Sequence, residues 1–396
     1  MWGRALAAAG AAGAVAALAA CSSTPPVENN TSHARSSSPW SLVSPPSPGT
    51  QSLLDSVACS SATSCEAVGS YSAAGVSVHA LAESWDGTSW SVDSSPSPGT
   101  DTELLSVACT ARASCMAVGV TGSPGGRRAF AELRRGSSWA VVPVPTPGSP
   151  SALQAVVCAA PNSCTAVGSS STSTSALPAA LVESWDGNRW SVVQTPSAAG
   201  SVESELNSVA CASSTTCMAV GTFNTTGDIE DQENFTLVEA WNGTSWSVVP
   251  SPNPGILSGF VSIACPSPTA CIAVGAYSPT ADPYVADDQS FVEAWGGTQW
   301  SIVPSPRLGA RYVSALQAAA CASPDRCLAV GYSALRARPG EHRHLIESWD
   351  GSSWSVAAGP ATNGVLKTVA CPSTTSCIAV GAGAAGRALV AWWRWT

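Results

Sequence analysis

Cysteine pairs of constant spacing, short strands punctuated by turns, and a period of about fifty residues together predict an all-β chain. The expected architecture is a seven-bladed β-propeller of four-stranded antiparallel blades, closed by an N-terminal strand that completes the last blade. The pairs are Cys59/Cys65, Cys109/Cys115, Cys158/Cys164, Cys211/Cys217, Cys265/Cys271, Cys321/Cys327 and Cys371/Cys377, each enclosing five residues.

One repeat runs from Leu53 to Gly99. A first strand leads into the cysteine pair, and a second, small-residue strand ends at a glycine, as in Ala67-Val68-Gly69. A variable loop follows, then a strand of the form Leu-Val-Glu-x-Trp, a tight Asp-Gly or Asn-Gly turn, and a fourth strand beginning at tryptophan and running into Pro-x-Pro-Gly. Alternating strands joined by such turns read as antiparallel hairpins, which disfavours a β-solenoid of short parallel coils.

At the N-terminus, residues 1–20 hold one arginine and a long Ala/Gly/Val/Leu run ending in Leu18-Ala19-Ala20-Cys21. This resembles a bacterial lipoprotein signal with its lipobox, which implies acylation of Cys21 and anchoring in the cell membrane on its extracytoplasmic side. Residues 21–39, rich in Ser, Thr, Pro and Asn, read as a disordered tether. Residues 40–396 form the repeat domain. Trp40 to Gly49 has the length of Trp90 to Gly99, so a fourth strand precedes the first complete repeat. The chain stops at Thr396, just after a third strand, Leu389-Val390-Ala391-Trp392-Trp393. Such sharing of a blade between termini resembles the closure of WD-repeat propellers and removes exposed sheet edges.

The chain carries 34 Gly, 29 Pro and a formal charge of −9, with Lys367 its sole lysine, so nucleic acid is not an expected partner. Fourteen cysteines in identical frames, behind an export signal, are expected to form intra-repeat disulfides worth about 2 kcal/mol each, clamping the turn between the first two strands. Their spacing does not suit zinc, and no metal or cofactor is expected. Opposed tryptophans such as Trp85/Trp90 are expected to pack edge to face and serve the core, against a rival role as sugar-stacking platforms. The third-strand glutamates Glu83, Glu132, Glu183, Glu239, Glu293 and Glu347, with Ala391 in the last repeat, are too regularly spaced to make one catalytic pair. They are expected to be hydrogen-bonded or to face solvent.

The motifs "SVACxSxTSCxAVG" and "LVExWxGTxWSVVPSPxPG" resemble those of secreted repeat proteins of high-GC actinobacteria, a likeness that implies fold and location only. Resemblance to sialidase-type propellers is loose, since Trp-Asp-Gly-x-x-Trp is tighter than their Asp-box and no arginine triad is present.

A specific partner must be read by what the repeats do not share. The inserts after the second-strand glycine are longest in repeats four and five, which carry Asp228, Glu230, Asp231 and Glu233, and Asp282, Tyr284, Asp287 and Asp288. Repeat six carries Arg336, Arg338, His342, Arg343 and His344. These residues are expected to form one charged rim, on the face opposite the disulfides, for an envelope protein, peptide or glycan. The expected function is a monomeric, non-catalytic binding scaffold. A lectin-like propeller is the alternative, and a glycoside hydrolase or lyase a further one.

Overall fold

The computed structural model describes residues 39–73, 77–123, 126–145, 147–173, 176–226, 233–280, 287–383 and 386–395. Among them every regular element is a β-strand. The first repeat is a sheet ordered β2 (Gln51–Ser61), β3 (Ser64–Ala73), β4 (Ser77–Trp85) and β5 (Trp90–Asp93), all neighbours antiparallel. The same order recurs in the repeats that follow.

Strand register explains why cysteines and tryptophans keep step. Cys59 lies opposite Cys65, Cys65 opposite Trp85, and Trp85 opposite Trp90, so disulfide and indoles form one row across the sheet. All seven expected disulfides are present, each joining residues six apart across the first hairpin: Cys59–Cys65, Cys109–Cys115, Cys158–Cys164, Cys211–Cys217, Cys265–Cys271, Cys321–Cys327 and Cys371–Cys377.

Besides clamping the turn, the pairs take part in the packing between repeats. The second-strand members Cys65, Cys115, Cys164, Cys217, Cys271, Cys327 and Cys377 are only 0–4% exposed, whereas their first-strand partners are half-buried. Each buried sulfur packs into a hydrophobic cluster shared with the preceding repeat, as Cys164 does with Met116 and Val118, Cys217 with Val167, Cys271 with Val220, Cys327 with Val274, and Cys377 with Val330. These cysteines are core residues as well as cross-links, and they form no part of an accessible site. Strand alternation is the reason: the row that holds the disulfide is the row that faces the neighbouring sheet.

The second-strand glycine answers to a different need. A β-bulge between Leu54 and Ser56 pushes the first strand toward the second, and a Cβ on Gly69 would collide with the Leu53 carbonyl oxygen. Gly221 faces the same obstruction from Glu205, which fixes glycine at this place in the repeat.

The terminal strands meet as expected. β1 (Trp40–Val43) pairs antiparallel with β28 (Ala388–Arg394), setting Trp40 opposite Trp393, and completes the sheet that contains β26 (Gly364–Ser373) and β27 (Ser376–Gly383). Their indoles lie 5.3 Å apart at 61°, a T-shaped contact. The paired indoles inside repeats differ from the edge-to-face expectation. Trp85/Trp90 and Trp185/Trp190 are tilted by 37° and 50°, whereas the equivalent Trp40/Trp393 pair is T-shaped.

The strands form six sheets rather than one per repeat. Repeats four and five share an eight-stranded sheet because Asn234, opening β16 (Asn234–Trp241), makes a parallel bridge with Leu257, opening β18 (Leu257–Ser267). The same single-pair contact joins Val78 to Asp101 as an isolated bridge, and it merges two sheets only where the second residue, Leu257, already lies within a strand.

The core lies between sheets. One cluster unites Leu104, Val107 and Cys115 with Val68 and Ala82 of the repeat before. Another unites Leu54, Val57 and Trp90 of the first repeat with Ile378, Val380 and Val390 of the last. Apolar burial at about 25 cal/mol per Å² is therefore gained only when neighbouring repeats stack. Polar bonds cross the same boundary: the Ser56 hydroxyl accepts the Val107 N–H at 3.2 Å, and Ser106, Ser208 and Ser262 do likewise for Val156, Ile263 and Ala319.

Deleting residues 40–44 should lower the melting temperature by several degrees, since the last sheet would lose its outer strand and Trp393 its partner; calorimetry checks this, and an unchanged transition would contradict terminal closure. Reducing the seven disulfides should lower it further, at about 2 kcal/mol per bridge, in the same measurement.

Candidate functional site

Hydrogen bonds sort the connections onto two faces. Linker residues bond to the ends of second strands, as in Thr50 N–H to Ser72 O at 2.8 Å, Val202 N–H to Asn224 O at 2.9 Å and Arg336 N–H to Arg311 O at 2.9 Å. The inserts therefore share a face with the Pro-x-Pro-Gly linkers. On the other face the indole N–H groups of Trp85 and Trp349 donate to Ala62 O and Pro324 O, joining the tryptophan hairpin to the disulfide hairpin.

Of the expected rim residues, Asp228, Glu230, Asp231, Asp282 and Tyr284 lie outside the described residues. Glu233 is exposed. Asp287 and Asp288, just before β20 (Gln289–Trp295), are not loosely solvated. Asp287 is 2% exposed and accepts from Thr280 Oγ1 at 2.7 Å, while its other carboxylate oxygen has no partner. Asp288 accepts from Ser278 Oγ at 2.5 Å, and its backbone carbonyl takes the Ser314 N–H of the next repeat. Burial raises the Asp288 carboxyl above its ordinary range, partly offset by the Arg336 charge. The Ser278 hydrogen bond lowers it more than Arg336 does and the Asp287 charge raises it, so charges of both signs act on Asp288 at the boundary of repeats five and six.

The rest of the basic group lies along β24 (Arg338–Trp349), which pairs with β23 (Arg326–Leu335). Arg338 pairs with Glu341 at 3.4 Å, both exposed, an interaction worth little in water. His342 packs on Tyr332 with ring centroids 4.5 Å apart, and His344 is half-buried, its pKa lowered by burial. Among the described residues no three of His, Cys, Asp and Glu gather in a metal-holding group.

The third-strand glutamates are the most perturbed groups. All six are fully buried, which excludes the solvent-facing alternative. Burial raises Glu83, Glu183 and Glu293 to about 8, and Glu132, Glu239 and Glu347 to about 7. The difference follows from a donor on the preceding repeat. Ser95 donates to Glu132 at 2.8 Å, Thr195 donates to Glu239, and Ser305 reaches Glu347 at 3.5 Å. At the corresponding position before Glu83 stands Pro45, and before Glu183 stands Val144, neither with a hydroxyl. Ser251, before Glu293, bonds Thr236 instead. Each glutamate thus lies at a different inter-repeat boundary, and no two converge.

The fourth-strand tryptophans are 4–7% exposed, so their ring faces serve the core and are closed to sugars. The turn between the paired tryptophans is held by its own aspartate: Asp86 Oδ1 accepts the Thr88 hydroxyl at 2.7 Å and the N–H groups of Ser89 and Thr88 at 2.8 Å, which together lower its pKa to about 2.

Three groups carry signals that loop length does not register. On the first strands, Asp55 is raised to about 6 by burial, lowered by Lys367 and raised by Glu103, so charges of both signs meet there. Arg134 replaces a third-strand tryptophan and pairs with Glu66 and, at 3.1 Å, with Asp93, all on the boundary of repeats one and two. The serines of the SVAC motif supply the inter-repeat bonds described above. The detectable signal is departure from the consensus at a fixed strand position.

No protein-family model matches the chain, and no curated protein matches it in sequence. Among solved structures it resembles YCF48 bound to D1 peptide, at a TM-score of 0.57 and 11% identity over 90% of this chain and 96% of that one. It also resembles the WD40 β-propeller domain of Doa1, at 0.53 and 10% over 89% and 96%. A GH74 xyloglucanase from Xanthomonas campestris gives 0.55 and 14%, over 87% of this chain and 52% of that chain. At such identities the likeness defines the fold, and the chain is a β-propeller.

The buried glutamates set a pH dependence. Their carboxyls are raised in the folded state from 4.5, so between about pH 4.5 and 8 the native protein binds more protons than the unfolded chain. Stability should be greatest near pH 5 and fall as pH rises to 8, as scanning calorimetry across that range would show. Changing Glu83, Glu183 and Glu293 together to Gln should flatten the decline, while Thr195→Val should steepen it by removing the Glu239 donor.

Proposed function

We propose that the protein is a lipid-anchored, extracytoplasmic, seven-bladed propeller that acts as a non-catalytic scaffold, binding a protein or peptide segment on the rim formed by repeats four to six. The blade count is supported by the seven cysteine frames, by inter-repeat clusters that return from the last repeat to the first, and by the β1 strand that completes the last sheet. The anchor rests on the lipobox-like residues ending in Cys21.

The observation that carries the binding role is the charged cluster at the boundary of repeats five and six. There Asp287 keeps an unpartnered buried oxygen and the Arg336 charge acts on Asp288, while Arg338 on β24 is exposed and His342 is half-buried against Tyr332. A mixed-charge surface mounted on a stiff ring suits a polypeptide with charges of both signs. YCF48, of like fold, is known bound to D1 peptide, and that precedent supports a peptide ligand here. Hydrolysis is disfavoured because the buried glutamates are separated by whole repeats. A lectin role on the fourth-strand tryptophans is disfavoured by their burial.

Shortening the inserts of repeats four, five and six to the length of repeat seven should leave the melting temperature nearly unchanged and abolish capture of the partner in pull-downs from envelope extracts. Capture by the intact protein should weaken as salt rises, because exposed charges are screened beyond about 8 Å at physiological ionic strength. Undiminished capture by the shortened ring, or turnover of a glycan by the intact protein, would overturn the reading. Cys21→Ala should move the protein from the membrane to the soluble fraction without altering its melting temperature.

A further inference from the structure

The chain joins the ring on the face of the disulfide and tryptophan turns. Trp40 lies opposite Trp393 and Trp393 opposite Cys377, so β1 begins at the disulfide end of the last sheet and runs toward the inserts. The Arg394 N–H donates to the Pro39 carbonyl at 2.9 Å, and the Trp395 N–H to Thr375 O, in the disulfide turn of repeat seven, at 3.1 Å. Residues 22–38 separate this entry point from Cys21, a length that reaches at most about 60 Å. First strands such as β2, of 11 residues, make the ring about 35 Å deep. With Cys21 in a bilayer, turning the inserts toward it would stretch more than half of that reach along the side of the ring, at a cost in chain entropy. Turning the disulfide face toward it uses none.

The surface beside the entry point has the chemistry of a lipid–water boundary. Arg326 of repeat six holds its guanidinium 5.9 Å from the ring centre of Trp395 and donates to Thr374 O of repeat seven at 3.2 Å. Arg326 and Arg394 are exposed, Trp392 and Trp395 half-buried, and neither arginine makes an ion pair among the described residues. Asp325 and Asp350 are the acids of repeat six on this face. Asp350 is committed to its turn, accepting the N–H groups of Ser352 and Ser353 at 2.8 Å, and Asp325 lies against Gly351 of the same turn. Guanidinium groups bind phosphate oxygens in bidentate fashion, and tryptophan settles where an apolar ring meets water.

The two faces differ in charge. At the turns of the disulfide face Arg112, Arg135 and Arg189 join Arg326 and Arg394, and they offset the exposed Asp86, Asp186, Asp325 and Asp350. The insert of repeat four, on the opposite face, carries Asp228, Glu230, Asp231 and Glu233 and no basic residue. An anionic surface would repel that insert and accept the disulfide face.

We propose that the corner of the disulfide face formed by Arg326, Arg394 and Trp395 rests on anionic phospholipid headgroups, the arginines on phosphate and the indole at the boundary with the acyl chains, so that the inserts point away from the bilayer. The proposal rests on the lipid anchor at Cys21 argued above, and it adds a protein surface to that anchor.

The test places the acylated protein on vesicles of phosphatidylglycerol and phosphatidylethanolamine that carry a rhodamine-labelled headgroup lipid. A donor fluorophore is attached through an unnatural side chain at Ser60, exposed on the disulfide face, or at Ala337, exposed among the inserts. Energy transfer from Ser60 should exceed that from Ala337 by about twofold or more, because the depth of the ring separates the two sites. The difference should shrink on phosphatidylcholine vesicles and at high salt. Arg326→Gln with Arg394→Gln should shrink it too, at an unchanged melting temperature and with the protein still on the vesicles. A second preparation, with residues 1–21 replaced by a histidine tag held on nickel-chelating lipid, should show the same difference. If only that preparation stays on vesicles, the acyl anchor is wrong and the surface contact stands. The proposal is overturned if Ser60 and Ala337 transfer equally or in the reverse order, if the double variant behaves as the parent does, or if the difference is undiminished on phosphatidylcholine.

Discussion

Packing of each repeat against the next is the interaction on which the rest of the structure depends. No hydrophobic cluster belongs to one repeat: Leu54 and Trp90 are buried by Val380 and Val390, and Leu104 by Val68 and Ala82. A four-stranded sheet of this size exposes two faces, and the faces are covered only by neighbours. The disulfide bonds act on a different scale, since each closes a hairpin within one sheet, while the buried sulfur at its inner end adds to the boundary packing. The terminal strands address the remaining problem: without β1 the outer edge of β28 would be open to pairing with another chain.

Because the boundaries are dry, polar groups placed there must be satisfied or neutral. The bulge serines meet this condition by accepting a backbone N–H from the next first strand. The glutamates meet it less completely. A hydroxyl from the preceding repeat holds the Glu132 carboxyl near 7, and where proline or valine takes that position the carboxyl rises to about 8, so it stays protonated at neutral pH. Ala391 shows that the last repeat dispenses with the acid, and Gly359 supplies no hydroxyl there. Loss of donor and loss of acid thus coincide at one boundary, while Glu83 and Glu183 remain without a donor and bear the larger desolvation.

Much of this was legible in the sequence because repetition amplifies weak local signals. A single Cys-x5-Cys would be ambiguous, but seven in frame with opposed tryptophans define a hairpin, its register and its partner strand. The Trp40 and Trp393 copies at the two ends told where the chain closes on itself. What could not be read was set by neighbours distant in sequence. The burial of Glu83 and of Cys65 depends on the adjoining sheet. The linker bridge that merges two sheets at Asn234 and Leu257 depends on a contact between repeats that no local pattern encodes. For the site, the inserts were found by length, and that measure passed over substitutions within strands: Glu66, Asp93 and Arg134 occupy ordinary repeat positions and differ only in chemistry.

That omission has a physical lesson for where specificity arises on a repeated ring. A position shared by all repeats is constrained by packing and presents the same chemistry many times, so it discriminates poorly between partners. A position that breaks the repeat within a strand is held rigidly by its neighbours, so its side chain needs little further ordering on binding. Arg134 shows the coupling. Arg134, at a third-strand tryptophan position, is matched by Glu66 and Asp93 on the preceding repeat, and the same hairpin carries Leu133, Arg135 and Ala140. In such a fold the inserts and the strand departures are two separate ways in which one repeat differs from the next, the first by length and charge, the second by side chains held within a sheet.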